Sequence, residues 1–290
     1  MRLLAFLILC TGVFLAGCSR EDGAAASGSD DIIGSEGTPV RGVVLAVLPE
    51  RDTVRFQVDG SEAREFIVDG PTLALMSAGS RYHARVVNDG PRQRLAGVWP
   101  EELRDQPELA AAAAALRKDT DARGSSAYRT LGEKVPEFVL VDQDNRIVRA
   151  SDLRGSWLVV NFIFTRCQVP EMCPASTAKM VSLQRDLAAA GIGGVRLISI
   201  TLDPSHDSPS ALSDYAELRG IDTRNFSLLT GPEQAIADLL RQFGIRIAPG
   251  DNVLRHTAST LLVNPEGRIV YREDGARWKP ENFRSRIPTG

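Results

Sequence analysis

The sequence predicts an α/β chain in which a small all-β barrel precedes a larger domain built as a central sheet flanked by helices. Three observations lead there. Residues 38–99 hold about five short runs with alternating apolar and polar positions, separated by turn-forming residues, as half-buried strands require. From residue 131 the pattern changes: near-continuous apolar runs such as Trp157–Phe164 and Val195–Leu202 alternate with stretches of helical spacing. The 290 residues, 43% hydrophobic and 24% charged, suffice for two folded parts and exclude a chain disordered throughout.

In order, Met1-Arg2 opens the chain and an apolar run follows from Leu3 to Ala16. One positive charge ahead of about 14 apolar or small residues fits a secretory signal, too short to span a bilayer comfortably. Leu15-Ala16-Gly17-Cys18 resembles the bacterial lipoprotein box. That resemblance implies removal of residues 1–17, lipidation of Cys18, and a chain anchored to a bacterial membrane and facing the periplasm, with inner or outer membrane left open. Residues 18–37, rich in Ser, Gly, Ala and Asp, read as the lipidated Cys and a flexible tether.

The barrel strands are expected at Val40–Val47, Thr53–Val58, Glu65–Val68, Arg81–Val87 and Arg94–Val98, with a helical turn at Leu73–Met76. The count predicts a small Greek-key, OB-like barrel over 38–99. It loosely resembles the copper-binding barrels of periplasmic metal-efflux systems, which hold the metal through paired Met with His and Trp. Met76, His83 and Trp99 are the candidates here and match no such spacing. Met76 is therefore expected in the core, His83 on a strand surface and Trp99 closing the barrel.

Residues 100–130 are expected as a helical linker, because Ala110–Ala115 lies inside Glu101–Lys118 and alanine is the best helix former. Residues 131–290 follow as a hairpin (Phe138–Arg149), a buried strand (Trp157–Phe164), a helix (Pro174–Ala190) and a second buried strand (Val195–Leu202). A helix (Ser208–Leu218), a short strand (Phe226–Leu229), a helix (Pro232–Phe243) and a closing hairpin (Ser259–Arg272) complete the domain. This is a thioredoxin-like layout, with cysteines just after a central strand.

Of four cysteines, Cys10 falls in the signal and Cys18 takes the lipid, which leaves Cys167 and Cys173 as the thiols of the mature chain. In an oxidising compartment such a pair is a redox pair, a metal site, or both. The strand before them ends near Thr165, and Pro174 suits a first helical position, so Cys173 is expected at a helix N-terminus. There the macrodipole and unpaired amides favour a thiolate, with Arg166 adding to the effect. A thiolate is both a nucleophile for disulfide exchange and a soft metal ligand.

Three motifs in order carry a resemblance over about 150 residues. They are Phe164-Thr165-Arg166-Cys167 through Cys173-Pro174, Ser199-Ile200-Thr201-Leu202-Asp203-Pro204-Ser205-His206-Asp207-Ser208-Pro209, and His256 ahead of Asn264-Pro265-Glu266-Gly267. Together they resemble the SCO/SenC family of thioredoxin-like copper chaperones for cytochrome c oxidase assembly. The resemblance implies Cys167, Cys173 and His256 as copper ligands. Two thiolates and an imidazole suit Cu(I) and can also hold Cu(II), whereas structural zinc normally needs a fourth ligand. Asp203 and Asp207 are candidate partners orienting the ligands, or else turn and cap residues. Met172 is either a soft extra contact or a packing residue, and His206 is left out of the site. One departure stands out: five residues separate the cysteines where the common family spacing has three, as in a bacterial subgroup with a Cys-x-Val/Leu-Pro-x-x-Cys-Pro loop. A loop of that length still brings two sulfurs together if their Cα atoms come within roughly 7 Å.

The function expected is a membrane-anchored copper chaperone. Its partner would be the copper-bearing (CuA) subunit of cytochrome c oxidase or another periplasmic copper or thiol protein. The alternative is a thiol–disulfide oxidoreductase keeping a partner's cysteines reduced. Thioredoxins carry a Pro ahead of the strand facing the cysteines, and His256-Thr257-Ala258-Ser259 has none. A peroxide-reducing enzyme is a faint third reading. A net charge of −3 gives no basic face for nucleic acid.

Overall fold

The computed structural model describes residues 37–124, 128–248 and 255–288. Residues 1–36, with the signal, Cys18 and most of the tether, lie outside the described residues. The barrel consists of β1 (Thr38–Leu48), β2 (Thr53–Val58), β3 (Arg64–Ile67), a short helix α1 (Gly70–Leu75), β4 (Arg81–Asp89) and β5 (Arg92–Pro100). The strands close in the order β1-β2-β3-β5-β4, with β4 returning to β1. The alternating residues explain this closure: Val44, Val54, Phe56, Phe66, Leu95 and Val98 point inward and are buried, while their neighbours face out. Met76 sits in this core, as expected.

Two expectations in this region are corrected. His83 is not on the surface but 7% exposed. The helix α2 (Glu101–Arg104) starts where β5 ends and folds back over β4, where His83 pairs with Trp99. Trp99 does not close the barrel. It packs with Leu103, Leu109 and Val141, a small cluster joining the barrel side to the larger domain.

The helix α3 (Pro107–Arg123) lies against the larger domain. Its Leu116 enters that domain's core, and Arg117 binds the fully buried Asp238 at 2.9 Å. The larger domain contains β6 (Val139–Asp142), β7 (Ile147–Arg149), β8 (Trp157–Ile163), α4 (Cys173–Ala189), β9 (Val195–Thr201) and α5 (Pro209–Arg219). After these come β10 (Phe226–Thr230), α6 (Glu233–Gln242), β11 (Ile247–Ala248), β12 (Arg255–His256), β13 (Ser259–Val263), β14 (Ile269–Asp274) and α7 (Pro280–Arg284).

The seven-stranded sheet runs β14-β13-β8-β9-β10-β6-β7. β8, β9 and β10 are mutually parallel, β13 and β6 flank them antiparallel, and β14 and β7 form the edges, so the sheet is mixed. β8 has a strand on both sides, and six of its seven residues are buried, which accounts for its unbroken apolar run. The sheet is flanked by helices, the thioredoxin-like arrangement predicted. The barrel and the larger domain belong to one compact unit. Among the described residues no helix is long and apolar enough to cross a membrane.

Candidate metal and dithiol site

Both cysteines sit at the end of β8. The chain leaves the strand at Ile163, turns so that the Cys167 amide donates to the Phe164 carbonyl at 3.3 Å, and enters α4 at Cys173. The extra loop residues are absorbed by a second turn: Met172 donates to Val169 at 3.1 Å, and Ala175 to Pro170 at 3.1 Å. The five-residue spacing thus closes on itself, and the two thiols are hydrogen-bonded to each other. Cys167 is 8% and Cys173 2% exposed.

The expected thiolate at Cys173 is corrected. The residue does begin a helix, but burial pushes its thiol well above the ordinary range. A hydrogen bond from the Phe164 backbone offsets part of this, while Cys167 and the charge of Asp207 push further upward. A helix terminus is worth at most a couple of kcal/mol, less than removing a thiolate from water costs here. Arg166 does not serve the thiols either. Its guanidinium lies 2.8 Å from Asp203 Oδ2 and 2.9 Å from His206 Nδ1.

Asp203 and Asp207 have different surroundings. Asp207 is fully buried and fastens the cysteine loop: the Thr165 amide donates to it at 3.2 Å, and the Thr165 and Thr201 hydroxyls donate as well. Burial, then the charge of Asp203, raise its pKa to about 6 against those bonds. Asp203 is 2% exposed. Burial alone would raise its pKa, but His206 Nδ1 at 2.8 Å and Arg166 hold it below the usual carboxylate value. Ser208 caps α5, while Asp203 organises the turn: its carbonyl accepts from the His206 and Asp207 amides and its carboxylate from the Ser205 hydroxyl.

The third expected ligand stands on a hairpin. The His256 main chain pairs with Ile247 across β11 and β12, and Thr257 closes the hairpin base by donating to Arg246 O at 2.9 Å. Its imidazole lies outside the described side chains. Two residues on, Ala258, Ser259 and Thr260 line one pocket with Met172, Cys173 and Trp278. The chain segment bearing His256 therefore runs directly into the wall around Cys173. Met172 is half-buried and packs against the core beside that pocket.

Sequence reasoning passed over two residues. His206 belongs to the Asp203–Arg166 network; its place three residues after Asp203 was the available signal. Trp278, whose Nε1 donates to Ser176 at 3.1 Å, walls the pocket from a distant loop and had none.

A buried thiol pair at the start of the helix following the central strand defines a thioredoxin-like dithiol protein. A two-stranded hairpin carrying His256 leads into β13, whose first residues line the pocket at Cys173. More narrowly, the chain belongs to the SCO1/SenC family, whose sequence profile matches residues 126–287. It is 32% identical to a SCO1 protein homolog from Bacillus subtilis over 54% of this chain and 82% of that one. A Stutzerimonas stutzeri chain, provisionally described as a copper-binding protein, is 30% identical over 47% of this chain and 66% of its own length. The crystal structure of an Aquifex aeolicus protein, provisionally described as an electron-transfer protein, is similar in fold. It has a TM-score of 0.50 and 22% identity, covering 55% of this chain and 92% of that one. These matches cover about half of the chain.

Proposed function

We propose that the protein is a copper-binding chaperone that carries Cu(I) on Cys167, Cys173 and His256. The observation that carries the reading is the adjacent pair of buried thiols beside the segment leading from His256. Family membership and the description of the Stutzerimonas relative point the same way. The donors fit the metal: two buried sulfurs with an imidazole nitrogen suit a soft, low-coordinate ion. Copper supplies the charge that makes two buried thiolates tolerable, since binding displaces the thiol protons. Asp207 holds the cysteine loop to the 201–208 loop, and Arg166 pairs with Asp203 beside it.

The cargo's destination in this reading is the copper-bearing (CuA) subunit of cytochrome c oxidase. The chain would work from a lipid anchor at Cys18 on the periplasmic face of a bacterial membrane. Thiol–disulfide exchange with a partner is a weaker reading, because a nucleophile needs a thiolate and burial keeps Cys173 protonated.

The test is anaerobic Cu(I) titration of the reduced protein against a competing chelator. One equivalent per chain is expected, lost in Cys167→Ser and in Cys173→Ser and weakened in His256→Ala. Binding unchanged in either cysteine variant would defeat the reading.

A further inference from the structure

The barrel carries a second group of metal-ligating side chains, remote in sequence from the cysteines. His83 on β4 lies beneath α2. Glu101, the first residue of that helix, and Asp105, its C-terminal cap, are four apart, so their carboxylates share one face. One donor atom from each of His83, Glu101 and Asp105 falls within 4.8 Å of the other two. The Asp105 amide donates to the Glu101 carbonyl at 2.9 Å, which holds this turn in shape.

Two carboxylates near a histidine are common without a metal; the state of His83 sets this group apart. Its side chain is 8% exposed, and Nε2 is buried, makes no well-aligned hydrogen bond and has the Asp105 carboxylate as its polar neighbour. That nitrogen is 2.9 Å from Asp105 Oδ1, close enough to bond, yet no N–H is aligned between the two atoms. A buried polar atom without a good hydrogen bond is destabilising. A ring nitrogen and a carboxylate oxygen that face each other at this distance without a straight N–H···O bond are a pair that one shared cation satisfies.

We propose that His83 Nε2, Glu101 and Asp105 bind a divalent first-row cation, with Zn(II) the ion that fits the set and water completing its coordination. One imidazole and two carboxylates suit Zn(II) and Cu(II); without sulfur the set has no preference for Cu(I). The surrounding guanidiniums define the competition. Arg81 occupies Glu101 Oε2 and Asp59, leaving Oε1 to face the group. Arg41, 56% exposed, reaches Asp105 Oδ2 at 3.5 Å and Glu101 Oε1 at 3.9 Å. Arg104 adds a nearby charge that faces His83. Arg41 thus stands where the cation would enter, and it is exposed enough to swing away.

The test uses the full chain as the cell processes it, with Cys167→Ser and Cys173→Ser removing the dithiol. Calorimetric titration with Zn(II) is expected to show one equivalent. Co(II) in its place is expected to give visible ligand-field bands without a thiolate charge-transfer band. Glu101→Gln, at a half-buried position, and Asp105→Asn, at an exposed one, are each expected to weaken Zn(II) by roughly tenfold or more, the least a lost metal contact costs. Arg41→Gln is expected to tighten it. Circular dichroism of each variant confirms the fold. Absence of Zn(II) binding up to millimolar concentration overturns the proposal. So does an affinity that Glu101→Gln and Asp105→Asn leave within twofold, or one that Arg41→Gln weakens.

Discussion

Gly97 of the barrel abuts Ser205 of the larger domain so closely that a Cβ on Gly97 would stand 2.0 Å from the Ser205 carbonyl oxygen. Gly97 also has a φ of +55°, a conformation L side chains rarely adopt. Ser205 lies between Asp203 and Asp207, so the barrel bears on the loop that fastens the cysteines. Thr72 and Ser210, 3.4 Å apart, and Arg85 with Glu233, also 3.4 Å, extend the contact. Gly97→Ala is expected to cost about 1–3 kcal/mol through overpacking. Urea unfolding checks this, and an unchanged midpoint would mean that the barrel yields freely.

Asp207 makes stability depend on pH. Its folded pKa of about 6 lies above the unfolded value near 3.8, so the folded state holds the proton more tightly. Stability contributed by this group is complete below pH ~3.8 and falls as pH rises through about 6, by up to roughly 3 kcal/mol. Asp207→Asn is expected to remove this slope. Unfolding free energies of both proteins between pH 4 and 8 give the comparison; parallel curves would refute the assignment.

Arg166→Ala carries the opposite sign. Arg166 helps to hold Asp203 below its ordinary pKa, so its contribution exists above the unfolded carboxylate value and disappears as pH falls through the folded one. Because Arg166 is 55% exposed, screening limits the loss at pH 7 to about 1 kcal/mol. The difference between wild type and variant should be present at pH 7 and vanish in acid.

Cys173 should resist alkylation. With its pKa raised by burial, iodoacetamide at pH 8 is expected to modify it far more slowly in the folded protein than after unfolding. The same proton makes Cu(I) uptake pH-dependent: affinity is expected to rise by at least about one log unit per pH unit between 6.5 and 8.5. Chelator competition across that range measures the slope, and a flat profile would show that no thiol proton is displaced.

Much of the architecture was legible in the residues themselves. Strand alternation, the unbroken apolar run of β8, Pro174 at the start of α4 and Ser208 capping α5 are local signals, because backbone periodicity and capping are decided within a few residues. The spacing of Cys167 and Cys173 and the loop from Asp203 to Asp207 marked the site in the same way. What the sequence could not determine was what covers each group. Burial pushes Cys173 toward the thiol because the fold withdraws it from water. His83 is buried because α2 folds back over β4. Arg166 serves Asp203, 37 residues away, rather than the adjacent cysteine. Burial and long-range charge are properties of the packed molecule, and they decide protonation and pairing where a local pattern names only the participants.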